Sequence, residues 1–118
     1  MNIHETINYV EFPAKDLAAT KQFFTQCFSW AFEDYGLEYT AFTDEGLDGG
    51  FFYSEQSSAT INGAALIIFY SSDLAATYEK VKRSGGNITK EVFEFPGGKR
   101  FHFTEPSGNE FAVWCTQP

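Results

Sequence analysis

Cysteine is scarce in this sequence, which has only Cys27 and Cys115 among its 118 residues. Two thiols cannot supply the disulfide framework that staples small secreted domains. Residues 1–5 also do not resemble a secretory signal peptide. We therefore expect a cytoplasmic protein with two reduced thiols. Neither has a neighbouring His or a C-x-x-C partner, so a buried apolar role is favoured over a reactive one.

Basic residues and long apolar runs are scarce as well. Eight Lys and Arg stand against 16 Asp and Glu, which gives a net charge of −8. Binding to a phosphate backbone requires an excess of Lys and Arg, so we expect no nucleic-acid partner. No run approaches the ~20 apolar residues that span a bilayer, so we expect no membrane partner. Histidine is limited to His4 and His102.

Aromatic residues are abundant instead: 14 Phe, 6 Tyr and 2 Trp make up 19% of the chain. Large rings fill cores, and they also line the pockets that bind small molecules. Composition alone leaves both interpretations open. The length fits a single domain over residues 1–118, or two half-domains that share one core.

The sequence contains an internal repeat. The pentapeptide Asp-Leu-Ala-Ala-Thr at 16–20 recurs unchanged at 73–77, an offset of 57 that is close to half the chain. Each copy follows a strand-like run and precedes a helical pattern. Asp16 and Asp73 are therefore predicted to be helix N-caps, with a catalytic carboxylate as the alternative interpretation.

Each predicted helix is followed by short strand-like runs, at 31–35, 37–42 and 50–53 in the first half and at 87–93, 100–104 and 109–116 in the second. The unit is thus β-α-β-β-β, written twice. Module 1 is expected to span about 5–54 and module 2 about 64–116, with a polar linker at 55–63. The segment 95–99 is expected to be a loop and is a candidate lid because of its double glycine.

These features together resemble a known superfamily. A tandem β-α-β-β-β chain with a Val10-x-Phe12 first strand, Asp-Leu helix starts and a closing Glu-Pro-Ser-Gly-Asn-Glu at 105–110 is similar to the vicinal oxygen chelate superfamily. That group includes glyoxalase I, bleomycin-resistance proteins and extradiol dioxygenases. The resemblance implies an α+β fold in which two βαβββ modules form a curled mixed sheet around a cavity, with helices on the outer face. It also implies a homodimer, because a second chain often completes the cavity.

The metal enzymes of this superfamily place His or Glu ligands on the first and last strand of each module. The resemblance puts these positions at Tyr9, at Leu66, at Ala112 and within 50–53, and none of them holds an imidazole or a carboxylate. Zn²⁺ and Fe²⁺ need about three protein ligands. We therefore expect no metal and no cofactor, which argues against lactoylglutathione isomerisation and aromatic ring cleavage.

Strand alternation predicts which side chains line the cavity. The candidate ligand-binding residues are Tyr9, Glu11, Tyr70, His102 and Trp114, with Arg100 near the mouth. His102 has a second interpretation as a solvated or hydrogen-bonded strand histidine. Glu11 could form a salt bridge with Arg100, or be a partly exposed edge carboxylate. Tyr9 and Trp114 could stack on a ligand or simply pack.

Three functions follow as hypotheses. The first is a metal-free protein that binds a small aromatic or cationic molecule, as bleomycin-resistance members do by sequestration. The second is a metal-independent lyase or isomerase that acts on a small carbonyl compound with Glu11 and His102 as base and acid. The third is a divergent metal-dependent enzyme of the lactoylglutathione lyase type. The sequence alone does not decide whether the protein is an enzyme.

Overall fold

The structure, a computed structural model, describes residues 2–116. Within them the elements are β1 (Tyr9–Ala14), α1 (Leu17–Phe28), β2 (Glu33–Asp34), β3 (Tyr39–Glu45), β4 (Leu47–Tyr53), β5 (Ile67–Tyr70), α2 (Leu74–Arg83), β6 (Asn87–Phe95), β7 (Gly98–Thr104) and β8 (Glu110–Thr116). A short 3₁₀ turn (Thr60–Asn62) lies between β4 and β5. The predicted α+β class with two βαβββ modules is confirmed.

The strands form two open four-stranded mixed sheets, one from each module. Sheet 1 has the order β1-β4-β3-β2, and sheet 2 has the order β5-β8-β7-β6. In each sheet the first strand of the module pairs in parallel with the last strand, and the other pairs are antiparallel. The internal repeat of the sequence is therefore a repeat of topology.

Both helices begin as the sequence predicts. The side chain of Asp16 accepts a hydrogen bond from the Ala19 N–H, and that of Asp73 accepts one from the Ala76 N–H. These bonds satisfy N–H groups that have no partner within the first helical turn. The N-cap prediction is confirmed for both aspartates.

The segment 95–99 differs from the expected loop. Phe95 pairs with Gly98 in the β6–β7 ladder, so only Pro96 and Gly97 connect the two strands. Ladder pairing right up to a two-residue connection leaves no length for a lid. The lid interpretation was therefore wrong.

The two modules share one aromatic core, which α1 helps to build. The ring of Phe24 lies 5.6 Å from that of Phe51 in sheet 1 and 5.5 Å from that of Phe111 in sheet 2, measured between centroids. Phe23, the preceding residue on the helix, contacts Phe103 of sheet 2 at 5.7 Å. All five rings are buried. Much of the unusual phenylalanine content is thus used for packing.

A hydrogen-bonded turn joins module 2 to the start of α1. The Glu105 carboxylate accepts from the Thr20 hydroxyl at 2.6 Å and from the backbone N–H of Ser107 at 3.0 Å. The Asn109 side-chain amide donates to the backbone oxygen of Pro13 at 2.7 Å. The closing motif at 105–110 therefore connects the two modules within one chain.

Each sheet packs one face against the helices in the shared core, and from here on we call the opposite face of the sheet its outer face. On β1, Phe12 is buried in the core whereas Tyr9 and Glu11 are exposed. On β7, Phe101 and Phe103 are buried in the core. Strand alternation then places the neighbouring even-numbered side chains of β7 on the outer face. No helix within residues 2–116 is long and apolar enough to cross a membrane.

Candidate functional site

The outer face of sheet 2 carries a lateral row of large side chains, which we call the sheet 2 row: Tyr70, Trp114, Arg100 and Phe93. Tyr70 pairs with Trp114, Trp114 with Arg100, and Arg100 with Phe93, so the row crosses all four strands. Directly paired residues point to the same face of a sheet, where their side chains contact one another. The rings of Tyr70 and Trp114 lie 5.2 Å apart in an edge-to-face arrangement.

Arg100 is held by the side chain two residues further along the same strand. Its Nε and Nη2 lie 3.2 and 2.9 Å from Nε2 of His102. A guanidinium has donors and no acceptor, so Nε2 must accept and the imidazole proton must be on Nδ1. The Nε2 lone pair of His102 is therefore directed at Arg100.

Glu110 completes this arrangement from the neighbouring strand. Its Oε2 lies 3.1 Å from His102 Nδ1, which donates, and its Oε1 accepts from the Thr60 backbone N–H and hydroxyl, both at 2.8 Å. Burial alone would raise the pKa of Glu110, but these hydrogen bonds outweigh it and hold the pKa below its ordinary value. The carboxylate is thus ionised and fixes the orientation of the imidazole. His102 itself is only 5% exposed.

Two phenylalanine rings lie against the Arg100 guanidinium. Its central carbon lies 5.6 Å from the centroid of Phe93 and 5.7 Å from that of Phe95. Cation–π contacts at this distance are attractive and favour a guanidinium with one fixed position. Phe95 also contacts Trp114, at 6.1 Å between centroids. Arg100 is therefore bordered by rings on two sides and by His102 on a third.

Sheet 1 carries a second polar group, built around a residue that the sequence reasoning missed. The Tyr39 hydroxyl donates to Glu11 at 2.9 Å and lies 2.6 Å from the Tyr9 hydroxyl. Tyr39 reaches them by lying over Gly50, where an added Cβ would come within 2.2 Å of the Tyr39 oxygen. Burial and the two hydrogen-bond partners raise the pKa of Tyr39 far above its ordinary value, so this hydroxyl stays protonated.

The structure thus divides the predicted site residues into two groups. Tyr9 and Glu11 lie on sheet 1, whereas Tyr70, Arg100, His102 and Trp114 lie on sheet 2. Within residues 2–116, no hydrogen bond, ion pair or ring contact joins one group to the other. Arg100 is engaged by His102, so the alternative of a Glu11–Arg100 salt bridge is not what the structure shows.

The candidate residues predicted from the sequence did not include three residues of the sheet 2 site, which are Glu110, Phe93 and Phe95. Glu110 had a readable signal, because alternation on β8 places it on the same face as Trp114. Phe93 and Phe95 had none, because two register shifts in β6 decide where they fall along β7.

The residues present do not fit the metal of the superfamily. Within residues 2–116, no group of three or more His, Cys, Asp or Glu side chains lies close enough to hold an ion. His102 and Glu110 are the nearest approach to a ligand pair on sheet 2. However, the Nε2 lone pair of His102 already accepts from a cationic guanidinium, which would also repel a metal ion. The residues of this site therefore support no metal-dependent step.

An apolar cavity of about 490 Å³ lies at the C-terminal end of α1 and meets the sheet 2 row at Tyr70, which is part of its lining. Its lining includes Val10, Phe12, Phe28, Trp30, Phe42 and Phe69. Among the described residues that line it, Glu45 is the only one with an acidic or basic side chain. A cavity with so few polar groups offers little to fix the orientation of a ligand. The combination of ring surface and directed polar groups is found on sheet 2 instead.

Comparison with known proteins agrees with this architecture. A glyoxalase-related enzyme from Fulvimarina pelagi is 17% identical, with a TM-score of 0.76 over 95% of this chain and 88% of that one. A lactoylglutathione lyase from Agrobacterium tumefaciens is 17% identical, with a TM-score of 0.71 over 94% and 93%. TnmS3, an antibiotic binding protein from Streptomyces sp. CB03234, is 15% identical, with a TM-score of 0.70 over 98% and 100%.

Identities this low show a common fold and no more, and no curated protein sequence is a significant match to this chain. The family assignment rests on a different comparison. A family model matches residues 6–113, nearly the whole chain. The protein therefore belongs to the Glyoxalase/Bleomycin resistance protein/Dioxygenase superfamily.

Proposed function

We propose that this protein binds a small aromatic molecule on the outer face of sheet 2, at a site without a metal. The observation that carries the proposal is the sheet 2 row, in which two adjacent aromatic rings stand directly beside a fixed guanidinium. Ligand sites combine apolar and aromatic surface with a few well-placed polar groups, and this face does so.

The exposure of the row supports this proposal. Tyr70 is 57% exposed and Phe93 is 37% exposed, although the core takes up most of the other large rings. A set of exposed aromatic side chains on one face is typical of a binding surface. The fold of TnmS3, which binds an antibiotic, is a further reason to propose binding for this chain.

Catalysis by Glu11 and His102 has less support. The two side chains lie on different sheets, and both ring nitrogens of His102 have partners. A general acid or base must reach the proton that it moves, so His102 would first have to give up Arg100 or Glu110. The metal-dependent alternative requires ligands that the four family positions do not supply. A cationic ligand would need the negative charge of Glu11, but Glu11 lies on sheet 1, away from the sheet 2 row.

The binding proposal is tested with 2-naphthamide, a neutral aromatic probe, by isothermal titration calorimetry. We expect Tyr70→Ala and Trp114→Ala each to weaken binding about ten-fold, because each removes a stacking surface. Tyr35→Ala is the matched control, since Tyr35 is 59% exposed but lies outside the sheet 2 row. Failure of the unaltered protein to bind, or equal binding by all three variants, would overturn the proposal.

The proposal includes a homodimer in the cytoplasm. The outer faces carry exposed large apolar side chains on both sheets, Tyr9 and Phe52 on sheet 1 and Ile68 and Tyr70 on sheet 2. A second copy could cover part of this surface, as the family resemblance implies. Light scattering coupled to gel filtration should give twice the chain mass of 13.3 kDa. A single-chain mass at micromolar concentration would contradict this part of the proposal.

A further inference from the structure

We infer that the ligand carries an anionic group, preferably a carboxylate, on its aromatic ring. We infer also that Arg100 determines the preference of the site for this anionic group. This inference rests on the proposed function, because it takes the sheet 2 row as the binding site. It goes further by naming the chemical class of the ligand, and it is argued from the environment of one side chain.

Among the side chains of residues 2–116, none with a negative charge contacts the Arg100 guanidinium. The Lys21–Asp34 ion pair joins other side chains, whereas Arg100 contacts the imidazole of His102. The chain has 16 acidic and only eight basic residues, so partners for a guanidinium are plentiful elsewhere. The ionised Glu110 carboxylate contacts His102 and not the guanidinium. A partly buried guanidinium that no carboxylate contacts directly has lost hydration that an anion would compensate. A ligand carboxylate would supply that charge.

The guanidinium is also fixed before any ligand arrives. His102 accepts from Nε and Nη2, and Glu110 fixes His102 in turn. Phe93 and Phe95 lie against the guanidinium. Groups that are already ordered lose less conformational entropy on binding, which is the physical basis of tight recognition by a preorganised site. His102 and Glu110 are therefore positioning residues for Arg100.

The remaining donors match a carboxylate. Two of the five guanidinium N–H groups donate to His102, namely the N–H of Nε and one N–H of Nη2. The end formed by Nη1 and Nη2 therefore keeps donors on both nitrogens. Two parallel N–H groups match the two oxygens of a carboxylate in a bidentate pair.

The position of Arg100 in the row links this anion site to the aromatic surface. Trp114 lies directly opposite Arg100, and Tyr70 lies directly beyond Trp114. Paired residues in a sheet stand ~5 Å apart, so a ring stacked on Trp114 would have a substituent on its edge within reach of Arg100. The geometry points to an aromatic acid, with the ring on Trp114 and the carboxylate on Arg100.

The test compares two probes with the same ring, 2-naphthoate and 2-naphthamide, which differ in charge. Titration calorimetry of the unaltered protein should give an affinity for 2-naphthoate about ten-fold higher, since a charge-assisted pair replaces a neutral contact. Added salt should reduce that preference, because it screens the charge. Arg100→Gln should remove the preference, because it should lower the affinity for 2-naphthoate more than the affinity for 2-naphthamide.

The matched control is Lys99→Gln, which removes the same charge from the opposite face of β7 and should keep the full preference. His102→Leu should reduce the preference and His102→Gln should restore part of it, because a glutamine oxygen can accept from Arg100. Equal binding of both probes by the unaltered protein overturns the inference and leaves the proposed function standing. Binding of neither probe overturns the proposed function and this inference with it.

Discussion

Cys27 and Cys115 lie in different environments, and this difference leads to a prediction about their reactivity. Cys27 is buried in the core, and burial raises the pKa of its thiol to about 11, with only partial compensation from a hydrogen bond to Ser84. The thiolate is the reactive form, so Cys27 should be inert in the folded protein. With Ellman's reagent at about pH 8, we expect one thiol, Cys115, to react before unfolding, since the reagent needs the thiolate.

The Cys115→Ser variant isolates the slow thiol. Its remaining cysteine should react only as fast as the protein unfolds, and about 6 M guanidinium chloride should expose it at once. Rapid reaction of Cys115→Ser under native conditions would show that the reagent reaches Cys27 in the folded protein, which would contradict this prediction. Cys27→Ser, by contrast, should keep the fast phase.

At the scale of the element, the two N-caps offer a matched pair. Asp16 and Asp73 each accept one hydrogen bond from the backbone at the start of a helix, at 2.9 and 3.2 Å. Replacement of either by Ala should lower the free energy of unfolding by about 1 kcal/mol, and replacement by Asn should restore most of it. Urea denaturation followed by circular dichroism measures both effects. Alanine variants as stable as the unaltered protein would contradict the capping role.

The turn between β7 and β8 leads to a prediction about pH. Burial raises the pKa of Glu105 above its ordinary value of 4.5, although hydrogen bonds from Thr20, Ser107 and Asn109 offset part of the effect. Between the unfolded and the raised folded pKa, the folded state binds more protons than the unfolded chain. The contribution of Glu105 to stability is therefore full below pH 4.5 and declines as the pH rises through the folded pKa.

Comparison with Glu105→Gln, which cannot titrate, isolates this contribution. The variant should be less stable, because the amide cannot accept all the hydrogen bonds that the carboxyl group accepts. Its deficit relative to the unaltered protein should shrink as the pH rises from about 4.5 to about 8, and urea unfolding at each pH measures it. A deficit that grows with pH would mean that the folded pKa of Glu105 is lowered instead.

For the whole molecule, the periodic features of the sequence predicted the β-α-β-β-β order of each module, and the family resemblance implied how the modules form sheets. The repeat at Asp16 and Asp73 predicted two modules, and alternation around Val10 and Phe12 predicted the buried face of β1; the structure confirms both. These signals are local, because capping and strand alternation depend on residues close in sequence.

The candidate site was less predictable because its contacts depend on register. Tyr39 reaches Glu11 only across Gly50, which lies between them in the sheet and has no side chain. Phe93 faces Arg100 because β6 contains register shifts between Ile88 and Phe93. Each of the two shifts adds one residue to β6, so together they displace its register against β7 by two residues, and no local pattern in the sequence marks them.

The shared core leads to a last prediction, that the two modules unfold as one unit. The Phe24 ring contacts both sheets, and the closing turn of module 2 is hydrogen-bonded to Thr20. The chain has two tryptophans, Trp30 in module 1 and Trp114 in module 2, so Trp114→Phe and Trp30→Phe leave one reporter in each module. In both variants, urea unfolding followed by fluorescence should coincide with unfolding followed by circular dichroism.

Phe24→Leu tests the cause of this coupling. Loss of the ring should lower stability on the order of 1–3 kcal/mol, by the same amount in both single-tryptophan variants, because the ring supports both sheets. An effect seen by Trp30 but not by Trp114 would mean that α1 stabilises sheet 1 alone. Equal shifts would mean that neither sheet keeps its structure once the other is lost, so the Arg100 site on sheet 2 depends on the packing of module 1.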